Sequence, residues 1–266
     1  MKDNRDTGVA VHSVELAAFF TKILHADMKL ELDAEGIAGF AFEAAPALEV
    51  PLEAPRPPNI PPQRFPSRWY ALAKAMRVAP MLSPDNYMKV VPPFLKSAKK
   101  SILNEQQYIK GDQPQIQKLL TAIGKAWKRN PQLDVRVVLA IPIGGDLDKE
   151  KKSLHTLAKY GLKLGVNIRY LNKRFFTHCH DKLIIVDQNA ALVSSQNWSD
   201  SAVAENREAG LILYSASLAK YFANNFQLDW DTGLQTLQPD QAETAFDFAA
   251  MPEEMMTVSA GDYREV

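Results

Sequence analysis

The chain has 266 residues, 31 basic and 31 acidic side chains, 46% apolar content and one cysteine. A chain of this size buries a core without covalent or metal staples, and the lone Cys179 excludes both a disulfide framework and a cysteine-ligated zinc site while fitting a reducing compartment. No apolar run approaches the roughly 20 residues that a membrane-spanning helix needs, and the balanced charge argues against a general nucleic-acid binder, which neutralises phosphates with a basic excess, without excluding a local basic site.

The opening MKDNRDTGV lacks the basic start and apolar run of a secretory signal, so the cytoplasm is the default location. An internal repeat complicates that reading, because it places any leader upstream of residue 1. Residues 3–29 align without gaps on residues 205–231, with eight identities in 27 positions: Asn4/Asn206, Arg5/Arg207, Gly8/Gly210, Ser13/Ser215, Leu16/Leu218, Ala17/Ala219, Phe20/Phe222 and Asp27/Asp229. Each copy predicts a short strand (9–11 and 211–213) and then an amphipathic helix, with Leu16, Phe19, Phe20 and Ile23 on one face of the first and Leu218, Tyr221, Phe222 and Phe226 on one face of the second. Residues 1–45 therefore read as the tail of an incomplete first unit.

Eight prolines between 46 and 66 remove backbone donors and force extended conformations, which predicts a linker over 46–80. Its last part, 69–76, reads as a helix. The next unit, 81–235, opens at Ser83-Pro84-Asp85. It alternates helix 87–99, strand 101–109, helix 115–129, strand 135–141, helix 151–164 and strand 167–171, and Pro92 and Pro93 either start or disturb the first of these helices. Two apolar strands, 182–186 and 191–194, are joined at Asp187-Gln188-Asn189, a tight-turn sequence. This order predicts a layered α/β domain, with a mixed sheet and helices on both faces. The acidic segment 236–266 has weak patterning and reads as a disordered tail.

Chemistry concentrates at His180-Asp181-Lys182-Leu183-Ile184-Ile185-Val186-Asp187. On an extended backbone, residues two apart share a face, so His180 and Lys182 project together from a strand anchored by the apolar residues that follow. An imidazole that can attack, beside an ammonium that can hold an anionic oxygen, suits attack on phosphorus. Ser195 and Asn197 come after the second hairpin strand, and Asn206 and Glu208 follow in the next loop. There they could bring hydroxyl, amide and carboxylate groups to the same pocket, where a carboxylate bonded to one imidazole nitrogen would fix the tautomer.

The pattern His180-x-Lys182-x4-Asp187, then Ser195-x-Asn197 and Asn206-x-Glu208, resembles the phospholipase D superfamily, whose HKD motif is H-x-K-x4-D followed by G-S-x-N and N-x-E. The resemblance spans about 82–230. It implies a phospholipase D-like fold and phosphodiester cleavage or phosphatidyl transfer through a phosphohistidine, without cofactor or metal. His180, Lys182, Asp187 and Glu208 would then be catalytic, and Ser195, Asn197 and Asn206 would bind substrate. Members with two motifs place the active site between two units, one histidine acting as nucleophile and the other as acid and base. Asn4-Arg5-Asp6 resembles the N-x-E head of a first unit. The sequence departs from the family pattern in that Ser194 replaces the glycine, Asp6 replaces the glutamate and no first H-x-K-x4-D occurs.

The expected partners are a phospholipid or another phosphodiester, with peripheral membrane contact, and a complementary HKD-bearing half or a second copy of this chain. Nucleic acid is the weaker expectation. A nuclease using the same residues, or a silent half that binds a phosphate ligand, are the alternatives. Duller readings also hold for single residues. Asp187 suits a turn for backbone reasons, Glu208 could pair with Arg207, His178-x-His180 could hold a metal ion, and Lys173-Arg174-Phe175-Phe176 is either a substrate rim or a basic turn with two core phenylalanines.

Overall fold

The computed structural model describes residues 4–30, 48–50, 75–142, 147–176 and 178–236. The strands are β1 (Leu48–Val50), β2 (Met76–Ser83), β3 (Ser101–Gln106), β4 (Asp134–Leu139), β5 (Ile168–Tyr170), β6 (Lys182–Val186), β7 (Ala190–Ser194) and β8 (Glu208–Tyr214). They form one mixed sheet in the order β1-β2-β8-β7-β6-β3-β4-β5. The β3–β4 and β4–β5 pairs are parallel, and all others are antiparallel.

Helices cover both faces, as the alternating pattern predicts. On one face α2 (Tyr87–Lys96), α3 (Pro114–Arg129) and α5 (Asp200–Ala204) pack Val91, Leu95, Leu119, Ile123 and Val203 against Ile102, Ile184 and Leu192. On the other, α1 (Val14–Leu30) and α6 (Ala216–Thr232) lay Leu16, Phe222 and Phe226 on Leu103, Leu183 and Ile185. Because side chains alternate along a strand, β6 feeds both cores at once, and all five of its residues are buried. The remaining helix, α4 (Leu147–Ala158), starts four residues before the predicted one and ends well before it, and adds Leu157 to the first core.

Three expectations change. Met76 opens a strand instead of closing a helix, and β2 joins the sheet beside β8, with β1 adding an edge from within the proline-rich stretch. The sheet therefore begins upstream of residue 81. Pro80 stands opposite Leu211 of β8, and its carbonyl accepts Asn86 Nδ2 (3.2 Å). Residues 9–11 form no strand; their repeat counterparts at 211–213 lie between β2 and β7, whereas the first copy has no ladder to join among the described residues. The helix that follows forms in both copies. Helix α2 runs through Pro92 and Pro93 for ten residues, and the expected tail at 236–266 lies, beyond its first residue, outside the described residues.

Candidate active site

The turn between β6 and β7 explains one member of the motif at once. Asp187 and Gln188 have φ of 56° and 54°, and Asn189 N–H donates to Val186 O (3.0 Å), the left-handed two-residue turn that suits the twist of a hairpin and that Asp adopts with little strain. The Asp187 carboxylate accepts backbone N–H groups from Lys99 (3.0 Å), Lys100 (2.6 Å) and Ser101 (2.9 Å). It is fully engaged in tying the turn to the start of β3. At about 3.3 Å per residue, it lies some 20 Å from His180, so the structure gives it a structural place away from the imidazole.

At the other end of β6 the arrangement is open. His180 and Asp6 are both more than half exposed at their side chains, and His180 Nδ1–H donates to Asp6 Oδ1 (2.8 Å). In the neutral imidazole this bond leaves the lone pair on Nε2. Lys182 is buried, and its Nζ donates to His180 O (2.6 Å). Burial lowers its pKa, against the pull of Asp6, Cys179, Asp181 and Glu208, so the ammonium stands at the edge of the site with little water to share its charge.

Asp6 is held there by its backbone neighbour. Arg5 N–H donates to His178 O (2.8 Å) and His180 N–H donates to Arg5 O (2.8 Å), a parallel bridge against Cys179. On the opposite face of the same strand, Arg5 Nε donates to Asp229 Oδ2 (2.7 Å) and lies 3.8 Å from Asp181. Glu105, fully buried on β3, accepts the Cys179 thiol (3.7 Å). Burial pushes the Glu105 carboxyl well above its usual range, and Asp181 and Asp229 add to the effect. Burial also lifts Asp181 to about 7, despite the attraction of Arg5.

The remaining predicted residues gather near β7 and β8. Ser195 is exposed and exchanges bonds with Ala209, its Oγ accepting the Ala209 N–H (3.1 Å). Asn197 Oδ1 is a buried acceptor with no partner. Asn206 is exposed, with its N–H on Ser201 O (2.7 Å). Glu208 begins β8 opposite Ser83; its charge reaches Lys182, but the carboxylate bonded to His180 is Asp6. Arg207 is taken up by Asp27 (2.7 Å) and Asp85, so the Arg207–Glu208 pair weighed from sequence does not form. Ser194, standing where the family pattern has glycine, faces Gly210 across the ladder. A Cβ at Gly210 would sit 2.5 Å from Ser194 Cβ, so the two positions have room for one side chain.

His178, on the His180 face, accepts Gln107 Nε2 at Nε2 (3.0 Å), and burial followed by the charges of His180 and Lys182 lowers its pKa. It lines a cleft of about 650 Å³ with Gln107, Lys110, Glu150, Lys152 and Thr156. No cluster of metal-ligating side chains is found among the described residues. Phe176 is buried and Phe175 packs on the same core, which makes 173–176 a basic turn over two core phenylalanines. Asp6 was visible beforehand as the head of the repeat; the buried Arg5, Glu105, Asp181 and Asp229 group was not, since it joins residues far apart in sequence.

A family model described as "Cardiolipin synthase, PLD-like domain" matches residues 93–230, just over half of the chain. The chain belongs to the phospholipase D-like family. Among solved structures, this phospholipase D-like chain is similar to the phospholipase D family member Nuc from Salmonella typhimurium, at 25% identity and TM-score 0.49 over 59% of this chain and 95% of that one. It is also similar to NucT from Helicobacter pylori (14%, TM-score 0.45, covering 60% and 98%) and to phosphatidylserine synthase from Haemophilus influenzae Rd KW20 (17%, TM-score 0.47, covering 62% and 41%). Comparison with curated proteins returns no match.

Proposed function

We propose that the chain supplies one half of a phosphodiester-cleaving or phosphatidyl-transferring site that works through a phosphohistidine at His180. The observation that carries this reading is the 2.8 Å bond from His180 Nδ1 to Asp6, which in the neutral imidazole keeps the lone pair on Nε2, on an exposed residue two positions from Lys182. Nε2 attacks phosphorus and forms the N–P bond as the P–O bond to the leaving alcohol breaks. Lys182 stabilises the charge that builds on the non-bridging oxygens, and Asp6 stabilises the imidazole as it becomes cationic. Water or an acceptor alcohol then attacks the phosphohistidine and returns the imidazole. Ser195, Asn197 and Asn206 would bind the substrate, a role that the unpartnered Asn197 Oδ1 supports.

The leaving oxygen needs a proton from the far side of phosphorus, and the repeat indicates how it arrives. Arg5 of the first copy pairs with Asp229 on the helix of the second, while Arg207 of the second pairs with Asp27 on the helix of the first. Residue i touching j′ while i′ touches j is the signature of a local twofold relation between two copies. Asp6 corresponds to Glu208. By that relation, as Asp6 meets His180, Glu208 would meet the imidazole of a second H-x-K strand contributed by a complementary unit. A second copy of this chain suits that place less well, because its own His180 already holds Asp6. Balanced charge and the match to a family described by cardiolipin synthase support a phospholipid substrate with peripheral membrane contact over nucleic acid.

The test is turnover of a generic aryl phosphodiester and of phospholipid vesicles. The chain alone should be nearly inactive, addition of a unit with its own H-x-K-x4-D should restore turnover, and His180→Ala should remove it together with any trapped phosphoenzyme. Robust turnover by a monodisperse dimer of this chain would replace the complementary-unit model with the symmetric one. Binding of phosphate ligands without turnover in any combination would leave the silent half as the reading.

A further inference from the structure

We propose that Arg5, with the buried carboxylates around it, is a positioning residue for the imidazole of His180, acting through Asp6. This inference rests on the reading of His180 as the nucleophile. The Asp6–His180 pair is too exposed to hold its own geometry, since ion pairs in solvent contribute about 0–1 kcal/mol and compete with side-chain freedom. Something else must fix where Asp6 stands. Residues 4–6 are attached to the 178–180 strand through the two backbone bonds of Arg5, and a bridge of that length has little cooperativity of its own.

The Arg5 side chain supplies the anchor. It passes to the opposite face of the strand, where it is only 8% exposed, donates to Asp229 on α6, approaches Asp181 and lies 5.8 Å from the Phe176 ring centre. Removing one member of a buried, hydrogen-bonded charge group leaves the others uncompensated and is strongly destabilising. The segment is thus bound tightly by a group that never touches substrate, while the group that does touch the imidazole is bound weakly. Asp181 and Asp229 come from the motif strand and from α6, so the anchor also ties the site to the helix that repeats α1. One guanidinium faces three carboxylates here, Asp229, Asp181 and Glu105, and burial raises the pKa of Glu105 and Asp181, which eases the excess of negative charge around it.

The experiment reads the His180 tautomer by nitrogen-15 NMR of the imidazole in the full chain, alongside kcat and KM in the reconstituted system. Wild type should show the proton on Nδ1. Arg5→Gln should lose that preference and lower kcat by on the order of 100-fold, the scale of a misplaced catalytic group, with KM changed by less than about twofold. Asp229→Asn keeps Arg5 beside Asp181 and Glu105 and should show the same effect in weaker form. Asp6→Ala, at an exposed position where substitutions cost little stability, should reproduce the Arg5→Gln tautomer with a nearly unchanged melting temperature. A folded Arg5→Gln or Asp229→Asn protein with the wild-type tautomer would overturn the proposal, as would an Asp6→Ala protein that keeps the proton on Nδ1. If wild type turns over no diester but the tautomer responds as stated, the positioning stands and the functional reading falls.

Discussion

The two ends of β6 are built from one eight-residue motif and do opposite things. At the upstream end His180 is exposed and its imidazole has a single carboxylate partner; at the downstream end Asp187 is saturated by three backbone amides and fixed in a left-handed turn. Between them five buried residues lock the register to β3 and β7. A motif read as one chemical unit is therefore two devices on a rigid spacer. A side chain that spends its hydrogen bonds on the backbone is holding the fold, and an exposed one with a single partner keeps capacity for other contacts.

The comparison breaks first at the reactive end. His180→Ala is expected to abolish phosphodiester turnover in the reconstituted system while changing stability by no more than about 0.5 kcal/mol, as for other exposed positions. Parallel assays and thermal melts check both halves of that statement. Asp187→Ala should do the reverse. Hydrogen bonds to a charged group contribute about 1.5–3 kcal/mol each and are not additive, so a loss of about 3 kcal/mol in urea unfolding is expected, with the folded fraction still turning over. If Asp187→Ala instead kills activity at unchanged stability, the division of the motif is wrong.

A third variant sharpens the contrast between the two faces at the upstream end. Burial, with Asp229 and Asp6 and against Arg5, lifts Asp181 to about 7, above its unfolded value near 3.9. The folded state thus binds this proton more tightly than the unfolded state. Its contribution to stability is complete below pH 4 and declines as pH rises to about 7. The melting temperature of Asp181→Asn should fall less between pH 4 and 7 than that of wild type, and identical slopes would place the titration elsewhere. The smallest effect is expected from chelation. Turnover by an imidazole and an ammonium should be unchanged in excess EDTA, and a loss restored by zinc or magnesium would move the chemistry to a metal ion.

Much of this was legible in the sequence, for physical reasons. Helix α3 shows a helical stripe in Ile116, Leu119, Leu120 and Ile123, all buried, and the hairpin announces itself through apolar runs around Asp187-Gln188-Asn189. Strand β2 hid because seven of its eight residues are buried on a strand without alternation, next to prolines that signal a linker, and because Pro80 argues against a strand. In the site, His180 and Lys182 followed from period-two geometry. The partner of His180 did not, because Glu208 fits the motif as well as Asp6 and only folding decides which carboxylate arrives. The repeat marks Arg5 and Asp229 as recurring positions, but they are separated by 224 positions, and only folding shows that they meet.

The contact between Ser194 and Gly210 bears on how departures from a motif are judged. Taken along the chain, serine in place of glycine before Ser195 reads as damage to a binding loop. Across the ladder the serine is accommodated, since it faces Gly210 and the strands keep their spacing with one β-carbon between them. Gly210→Ala should be destabilising, because its Cβ would meet Ser194 Cβ at 2.5 Å and also Ser194 Cα and Val193 O at 3.1 Å, and Ser194→Gly should relieve the first of these contacts while leaving the two to the backbone.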